Sequence, residues 1–510
     1  MGLLIMHWGL WAVVVWPGSC VGRAAKVTCT GPESWGGRAR KATCTAKKWQ
    51  EKIQDFNAWV DRNLEHPPCA RPAQRENFGT CLVAQTDVAR DQPLLRVPKR
   101  LHLSRSSAYA SPIAKAITQI ELAVGEDESS LLATLLLYEA SRGDESFWAP
   151  YIDVLPTACD LDVPILWPDK ECQELLRGSH LIGAVSSARA EIEGAWRALA
   201  HDVSPHFPDL LAPDSFTLEG GSFSLERFFW AHAIVLTRAL PFGDELSLIP
   251  LLDFANHEID SSNVCSIMIN VDGKWKDAIA PEQLTADARA SAVLHSGHPL
   301  IEGDQVFIDY GEQGWRSSWE MLYTYGFVPG CEHSDWLLTG GRPLYFSGIS
   351  ASDPLREQKI ALLVALGADE MSANGIWVDI QPKPAQCKSM APLLRLSHIT
   401  SETQPDLASE LENWGASPQS FWERLQKPMD GEIERNVIEQ IISACENALR
   451  VLPAIDVLAD EAASFSGGDE GVRQRRARLA ARVLLGERNA LETCHAVWSS
   501  ASPSKFKSRS

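Results

Sequence analysis

Two runs decide how this chain is read: Leu248-Ile249-Pro250-Leu251-Leu252-Asp253-Phe254-Ala255-Asn256-His257-Glu258 and Gly303-Asp304-Gln305-Val306-Phe307-Ile308-Asp309-Tyr310-Gly311. In the first, the apolar segment Ile249 to Leu252 reads as a strand, with Asp253, Asn256 and His257 just beyond its end. In the second, Val306 to Ile308 is again an apolar strand, and it ends in Tyr310-Gly311. One short helix later comes Tyr325-Gly326-Phe327. Side chains at a strand's end are held by a buried sheet while facing a cleft, which suits binding. An Asn amide offers two donors and an acceptor, and a His can donate from one ring nitrogen while the other is fixed. Taken alone, Asp-x-x-Asn-His is better read as a helix cap with a satisfied core histidine.

Working outward, Trp49, Ile53, Phe56 and Val60 fall at helical spacing, and Pro67-Pro68 ends that helix. Phe78 to Val97 reads as two strands around a turn at Thr86-Asp87. From Ser111 to Ala200 the period is helical, interrupted by an aromatic loop, Phe147-Trp148-Ala149-Pro150-Tyr151. Lying between pieces of sheet, these helices read as an insertion into a β-rich domain. Ser224 is a fitting N-cap for an apolar helix over Leu225 to Leu240. Beyond Phe327 five stretches read as helices, with a loop at Ser464 to Asp469 between the last two, so a separate, mainly helical domain is expected there.

The chain has 510 residues, 45% hydrophobic and 22% charged, a globular composition long enough for two or three domains. Its formal net charge is −19, yet the first 48 residues hold seven lysines and arginines against Glu33 alone, leaving −25 for the body. Such an acidic body argues against a nucleic-acid binder, because phosphate contacts need clustered Lys and Arg. It is compatible with a protein partner that presents a lysine. The twelve cysteines are scattered without a C-x-x-C pair and read as buried free thiols. Leu3 to Trp16 is apolar but shorter than the roughly 20 residues of a membrane span, and reads as a signal-peptide core. Val21 to Lys48 is basic and nearly free of acid, as transit peptides are. Together they look like the two-part plastid address of algae with complex plastids. Plain secretory entry, an uncleaved anchor and a misread start codon are the other readings. No stable membrane insertion is expected, and a monomer is.

At Asn256-His257, Tyr310-Gly311 and Tyr325-Gly326-Phe327 the chain resembles the C-terminal half of a SET domain, the fold of a large class of S-adenosylmethionine-dependent protein methyltransferases. More narrowly it is similar to the plant Rubisco large-subunit lysine methyltransferase group, which also includes an animal actin-histidine methyltransferase. Leu82-Val83-Ala84-Gln85 and Val97-Pro98-Lys99-Arg100-Leu101 look like the group's first SET strands. Phe147 to Pro156 is similar to its insert, and Phe229-Trp230-Ala231 with Thr237-Arg238-Ala239 to the segment entering the active site. Met390 to Leu396 and Leu484-Leu485-Gly486-Glu487-Arg488 resemble its helical substrate-binding domain. The resemblance implies an α+β protein. Residues 1–48 would be an address, 49–330 a β-rich SET core with a helical insert at about 104–224, 340–500 the substrate-binding domain, and 501–510 a disordered tail.

The activity implied is methyl transfer from S-adenosylmethionine to a lysine side chain of a protein, in a plastid. Histidine transfer on the same scaffold, or a catalytically silent peptide-binding protein, are the alternatives. By the same resemblance Tyr310 is the catalytic channel tyrosine and Tyr325 a second tyrosine on the channel wall. Asn256 and His257 hold the cofactor, while Arg238 and Asp253 lie on the substrate side. The family's first cofactor loop, Glu-Gly-x-Gly, meets Glu76-Asn77-Phe78-Gly79-Thr80-Cys81 here. Glu76 and Gly79 fit with two residues inserted, Phe78 to Thr80 with none. The segment between Tyr310 and Glu320 is also longer than usual, with Gly314 and Trp315 added and Ser318 in place of Asn. Only Cys331, beside His333, follows the core closely, so a zinc site closing the channel is not expected, and the helical domain is left to supply that wall.

Overall fold

The opening helix, Ala46–Asn63, buries Ile53, Phe56, Trp59 and Val60, the face its apolar spacing anticipates. In this computed structural model the described residues are 46–75, 79–125, 127–258, 261–271, 274–276, 290–310, 317–328, 340–366, 375–412, 417–429, 431–458 and 471–501. The address-like residues 1–45, the loop at 464–469, Cys331 and His333, and the tail from 502 lie outside them.

The strands in the first half are β1 (Ala70–Arg75), β2 (Gly79–Ala84), β3 (Pro93–Pro98), β4 (Leu103–Ser104), β5 (Leu240–Phe242) and β6 (Glu245–Leu248). They are followed by β7 (Asn256–His257), β8 (Ser266–Val271), β9 (Lys274–Lys276), β10 (Ser291–His295), β11 (Phe307–Ile308), β12 (Arg342–Ser347) and β13 (Gly375–Ile380). They form small sheets: β3-β10-β8-β9, β4-β6-β5, and the pairs β1-β2, β12-β13 and β7-β11. Among the strand pairs of the described residues, β7 with β11 is the parallel one.

Four local expectations are corrected. The two strands of Phe78 to Val97 exist, but they do not pair with each other: β2 pairs with β1, and β3 joins β10. The strand expected at Ile249 to Leu252 ends instead at Leu248. Pro250 lacks an N–H for a ladder, and Leu251 turns the backbone to φ +76°, a strained conformation for a branched side chain. A turn of 3-10 helix, Leu252–Phe254, then carries Asp253. The aromatic stretch after Phe147 is not all loop, because Ala149–Ile152 is a helical turn. The helix begun at Ser224 stops at Arg238, and Leu240 opens β5. Its N-cap is as expected, the Ser224 hydroxyl accepting from the Arg227 N–H at 3.3 Å.

Between β4 and β5 the chain is helical. There the helix Glu128–Ser141 is buried on every side from Ser130 to Glu139, so it runs through the core and not over it. The buried apolar residues form two clusters. One runs from Ile53 to Val328, the other from Leu344 to Trp498. The long helix Val472–Ser500 belongs to both, giving Leu479, Ala480 and Val483 to the first and Ala481, Leu484 and Leu485 to the second. The antiparallel pair of β12 and β13, with the helix Arg356–Ala365 between them in the chain, was not anticipated within the mainly helical second half. No described helix is long and apolar enough to cross a membrane.

Candidate active site

The parallel pairing of β7 with β11 builds the site, setting Phe307 beside Asn256 and Ile308 beside His257. Two segments 51 residues apart are thereby locked together by backbone hydrogen bonds, and the residues just past β11 are delivered to His257. The Tyr310 N–H donates to His257 Nδ1 at 3.2 Å, so a neutral imidazole carries its proton on Nε2. The Tyr310 hydroxyl donates to the Ala255 carbonyl at 2.9 Å. Its one hydrogen is thus committed, so toward any other donor this oxygen can act only as an acceptor. Burial pushes the Tyr310 phenol well above its ordinary range, so it acts as a neutral hydrogen-bonding group and not as a phenolate base.

Tyr325 comes from the helix Ser318–Tyr325, whose Ser317 and Glu320 form a capping box. Its hydroxyl donates to the Tyr310 carbonyl at 3.3 Å, and the two rings lie 4.5 Å apart, tilted by 41°. Phe327 closes the cluster at 6.1 Å from Tyr325 and 6.2 Å from His257. Between them Gly326 takes φ +78°, and a Cβ there would meet the Asp162 and Val163 backbone at 2.8 Å. The insert therefore presses directly on the turn that aims Tyr325 and Phe327.

Arg238 and Asp253 form a second group. Arg238 Nη1 donates to the Asp253 carbonyl at 3.0 Å and to Oδ2 at 3.2 Å, and its guanidinium lies 5.3 Å from the centre of the Phe254 ring. The Tyr151 hydroxyl donates to the same Oδ2 at 2.8 Å. Burial raises the Asp253 carboxyl, opposed by Arg238 and by the Tyr151 hydrogen bond. The turn Leu252–Phe254 leads straight into Ala255, the acceptor of Tyr310, which joins this group to the tyrosines.

Asn256, His257, Tyr310 and Tyr325 are thus brought together, with Arg238 and Asp253 adjoining them. Glu76 and Phe78 lie outside the described residues. Gly79 opens β2, which runs antiparallel past Gln305 and so points its Gly79 end toward the Tyr310 segment. Gly79 has φ +63°, and among the described residues nothing comes within 4 Å of a Cβ position there, which leaves room for a ligand against its backbone. Asn256 and His257, both half-buried, complete a donor set that fits a nucleoside-bearing amino acid such as S-adenosylmethionine. Tyr151 was missed as a site residue. Its signal was an aromatic stretch containing a tyrosine, whose hydroxyl must find a partner if buried.

Residues 350–491 match the Rubisco LSMT substrate-binding family. The chain is 25% identical over 457 residues to the chloroplastic [fructose-bisphosphate aldolase]-lysine N-methyltransferase of Arabidopsis thaliana, covering 87% of this chain and 82% of that one. It is 26% identical over 418 residues to the chloroplastic ribulose-1,5-bisphosphate carboxylase/oxygenase large subunit N-methyltransferase of Nicotiana tabacum, covering 81% and 74%. The crystal structure of the SET domain of LSMT bound to lysine and AdoHcy superposes with TM-score 0.67 at 22% identity, over 88% of this chain and 91% of that one. The protein therefore has the SET fold of LSMT, followed by a region that matches the Rubisco LSMT substrate-binding family.

Proposed function

We propose that this protein is an S-adenosylmethionine-dependent protein-lysine N-methyltransferase. The observation that carries this is the setting of Tyr310, whose amide is tied to His257 and whose hydroxyl is tied to Ala255, with the Tyr325 ring 4.5 Å away. When bound, S-adenosylmethionine supplies a sulfonium methyl that is already electrophilic, so the protein must mainly align the nucleophile and exclude water. Asn256 and His257 hold the cofactor, together with the Glu76–Gly79 loop. Tyr310 presents a fixed neutral oxygen to the junction between methyl and acceptor. A free lysine amine has a pKa of about 10.4, and a desolvated wall of Tyr310, Tyr325 and Phe327 favours its neutral, nucleophilic form. Arg238 and Asp253 face the substrate side. The SET core with its insert spans 49–330 and the substrate-binding domain 340–500.

The names of the relatives above support lysine over histidine as acceptor, and their chloroplastic names, with the signal-then-basic pattern of residues 1–48, support a plastid location. The decisive experiment pairs calorimetric titration of purified protein with S-adenosylmethionine and transfer of a labelled methyl group into proteins of a cell extract. Binding is expected, with the label on lysine Nε by mass spectrometry. Failure to bind would leave a silent SET-fold protein, and label on imidazole alone would make it a histidine enzyme. Separately, residues 1–48 fused to a fluorescent protein should accumulate in plastids; a cytoplasmic signal would overturn the location.

A further inference from the structure

The buried carboxylate of Asp253 is held on one oxygen only. Oδ2 accepts from the Tyr151 hydroxyl at 2.8 Å and from Arg238 Nη1 at 3.2 Å. Oδ1 is buried and has no hydrogen-bond partner among the described residues. A carboxylate oxygen withdrawn from water and left unpaired is costly, so a donor supplied by a ligand is the physical reason for keeping one here. Tyr151 itself is fully buried in the turn Ala149–Ile152, with its ring 6.2 Å from Phe56, which in turn lies 5.6 Å from Phe254 beside Asp253.

We infer that Tyr151 is a positioning residue: its hydroxyl pins Oδ2 of Asp253 so that Oδ1 stays aimed and available for a hydrogen on the substrate's nitrogen. This rests on the reading of the site as a lysine methyltransferase. It gives the helical insert a task beyond packing, since the insert fixes the substrate-side carboxylate across the fold. The titratable and charged groups around Asp253 are Tyr151 from the insert, Arg238 from the helix before β5, and Tyr310, which Tyr325 in turn adjoins. Arg238 is the one cation among them. The hydroxyl donated by Tyr151 favours the ionised carboxylate, against burial, so its loss should make Asp253 easier to protonate.

The test uses the full chain, Tyr151→Phe, free L-lysine as the amine probe and S-adenosylhomocysteine to fill the cofactor side, titrated calorimetrically from about pH 5 to 9. Phe keeps the ring against Phe56 and removes only the oxygen. The expected result is an affinity for lysine weaker by about ten-fold, unchanged affinity for S-adenosylhomocysteine, and an acid limit of lysine binding moved to higher pH. Wild-type lysine affinity with a wild-type pH profile would overturn the inference. So would loss of both ligands together, which is what a plain core residue would produce. Wild-type protein that binds S-adenosylhomocysteine but no lysine would remove Asp253 from the substrate side, and this inference with it. Wild-type protein that binds neither would instead sink the functional reading itself.

Discussion

At Tyr310 the polar atoms removed from water are neutral: the hydroxyl finds the Ala255 carbonyl, the amide finds His257 Nδ1 and the carbonyl accepts from the Tyr325 hydroxyl. At Glu487 the solution is charge against charge. This fully buried carboxylate, on the helix Val472–Ser500, accepts from Arg342 Nη1 at 2.5 Å and from the Ser179 hydroxyl, with His180 Nδ1 at 3.2 Å. Burial alone would raise its carboxyl, but His180, Arg342 and Ser179 pull it below its ordinary value. The same helix reaches the insert again through Arg476, which pairs with Glu171 at 2.8 Å and Asp162 at 3.3 Å. One region is the proposed catalytic centre, and the other clamps the insert to the C-terminal helix. Substitution should therefore separate rate from stability.

The harshest break is Glu487→Ala. It strands Arg342, whose side chain is only 10% exposed, without its carboxylate. Removing one partner of a buried pair costs about 3–5 kcal/mol, so the denaturant midpoint should fall steeply. A loss below about 1 kcal/mol would reduce the clamp to the worth of a surface pair. Tyr310→Phe should do the reverse. On the proposed function it deletes the hydroxyl that aligns methyl and acceptor, so kcat is expected to fall by about 10²-fold while melting and the dissociation constant for S-adenosylmethionine stay nearly the same. Wild-type kcat in that variant would make Tyr310 a core residue and dissolve the contrast.

The two regions also differ in how far they could be read from the chain. Asn256-His257 and Tyr310-Gly311 stood out because each motif is contiguous and a single strand pairing joins them. The strand before Asp253 was misplaced, since an apolar run says nothing of the positive φ at Leu251 that ends it. Leu484 to Arg488 was noticed as a motif, yet nothing in it announced partners 308 residues away at Ser179 and 145 away at Arg342. Long-range ion pairs leave no period. Tyr151 stayed hidden for the same reason, its partner Asp253 lying 102 residues on.

Asn256→Ala sharpens the functional side. Removing the amide beside His257 should weaken S-adenosylmethionine binding by about 1–3 kcal/mol, measured by calorimetry on protein that melts like wild type. Unchanged affinity would take Asn256 out of the cofactor set.

A milder probe of the clamp is pH. Asp379 on β13 lies at the junction, accepting from the Trp319 indole N–H at 3.3 Å while Trp319 stacks edge-on against His180 at 4.6 Å. Burial, reinforced by the charge of Glu320, pushes the Asp379 carboxyl up to about 8. In the unfolded chain an aspartate titrates at about 3.9. Between those values the folded protein binds a proton that the unfolded chain does not, so stability falls as pH rises through that window, and the full loss is felt above about 8. Asp379→Asn cannot ionise, and its amide oxygen can still accept from Trp319. Wild type and Asp379→Asn should therefore melt nearly alike only near pH 4, and the advantage of the variant should grow from there to a few degrees or more at pH 9. Tyr310 offers no such response, because burial moves its phenol further from neutrality, so kcat of the two proteins should keep the same dependence on pH. Parallel melting at both pH values would mean that the junction holds Asp379 ionised, and that the clamp tolerates one more negative charge than its burial implies.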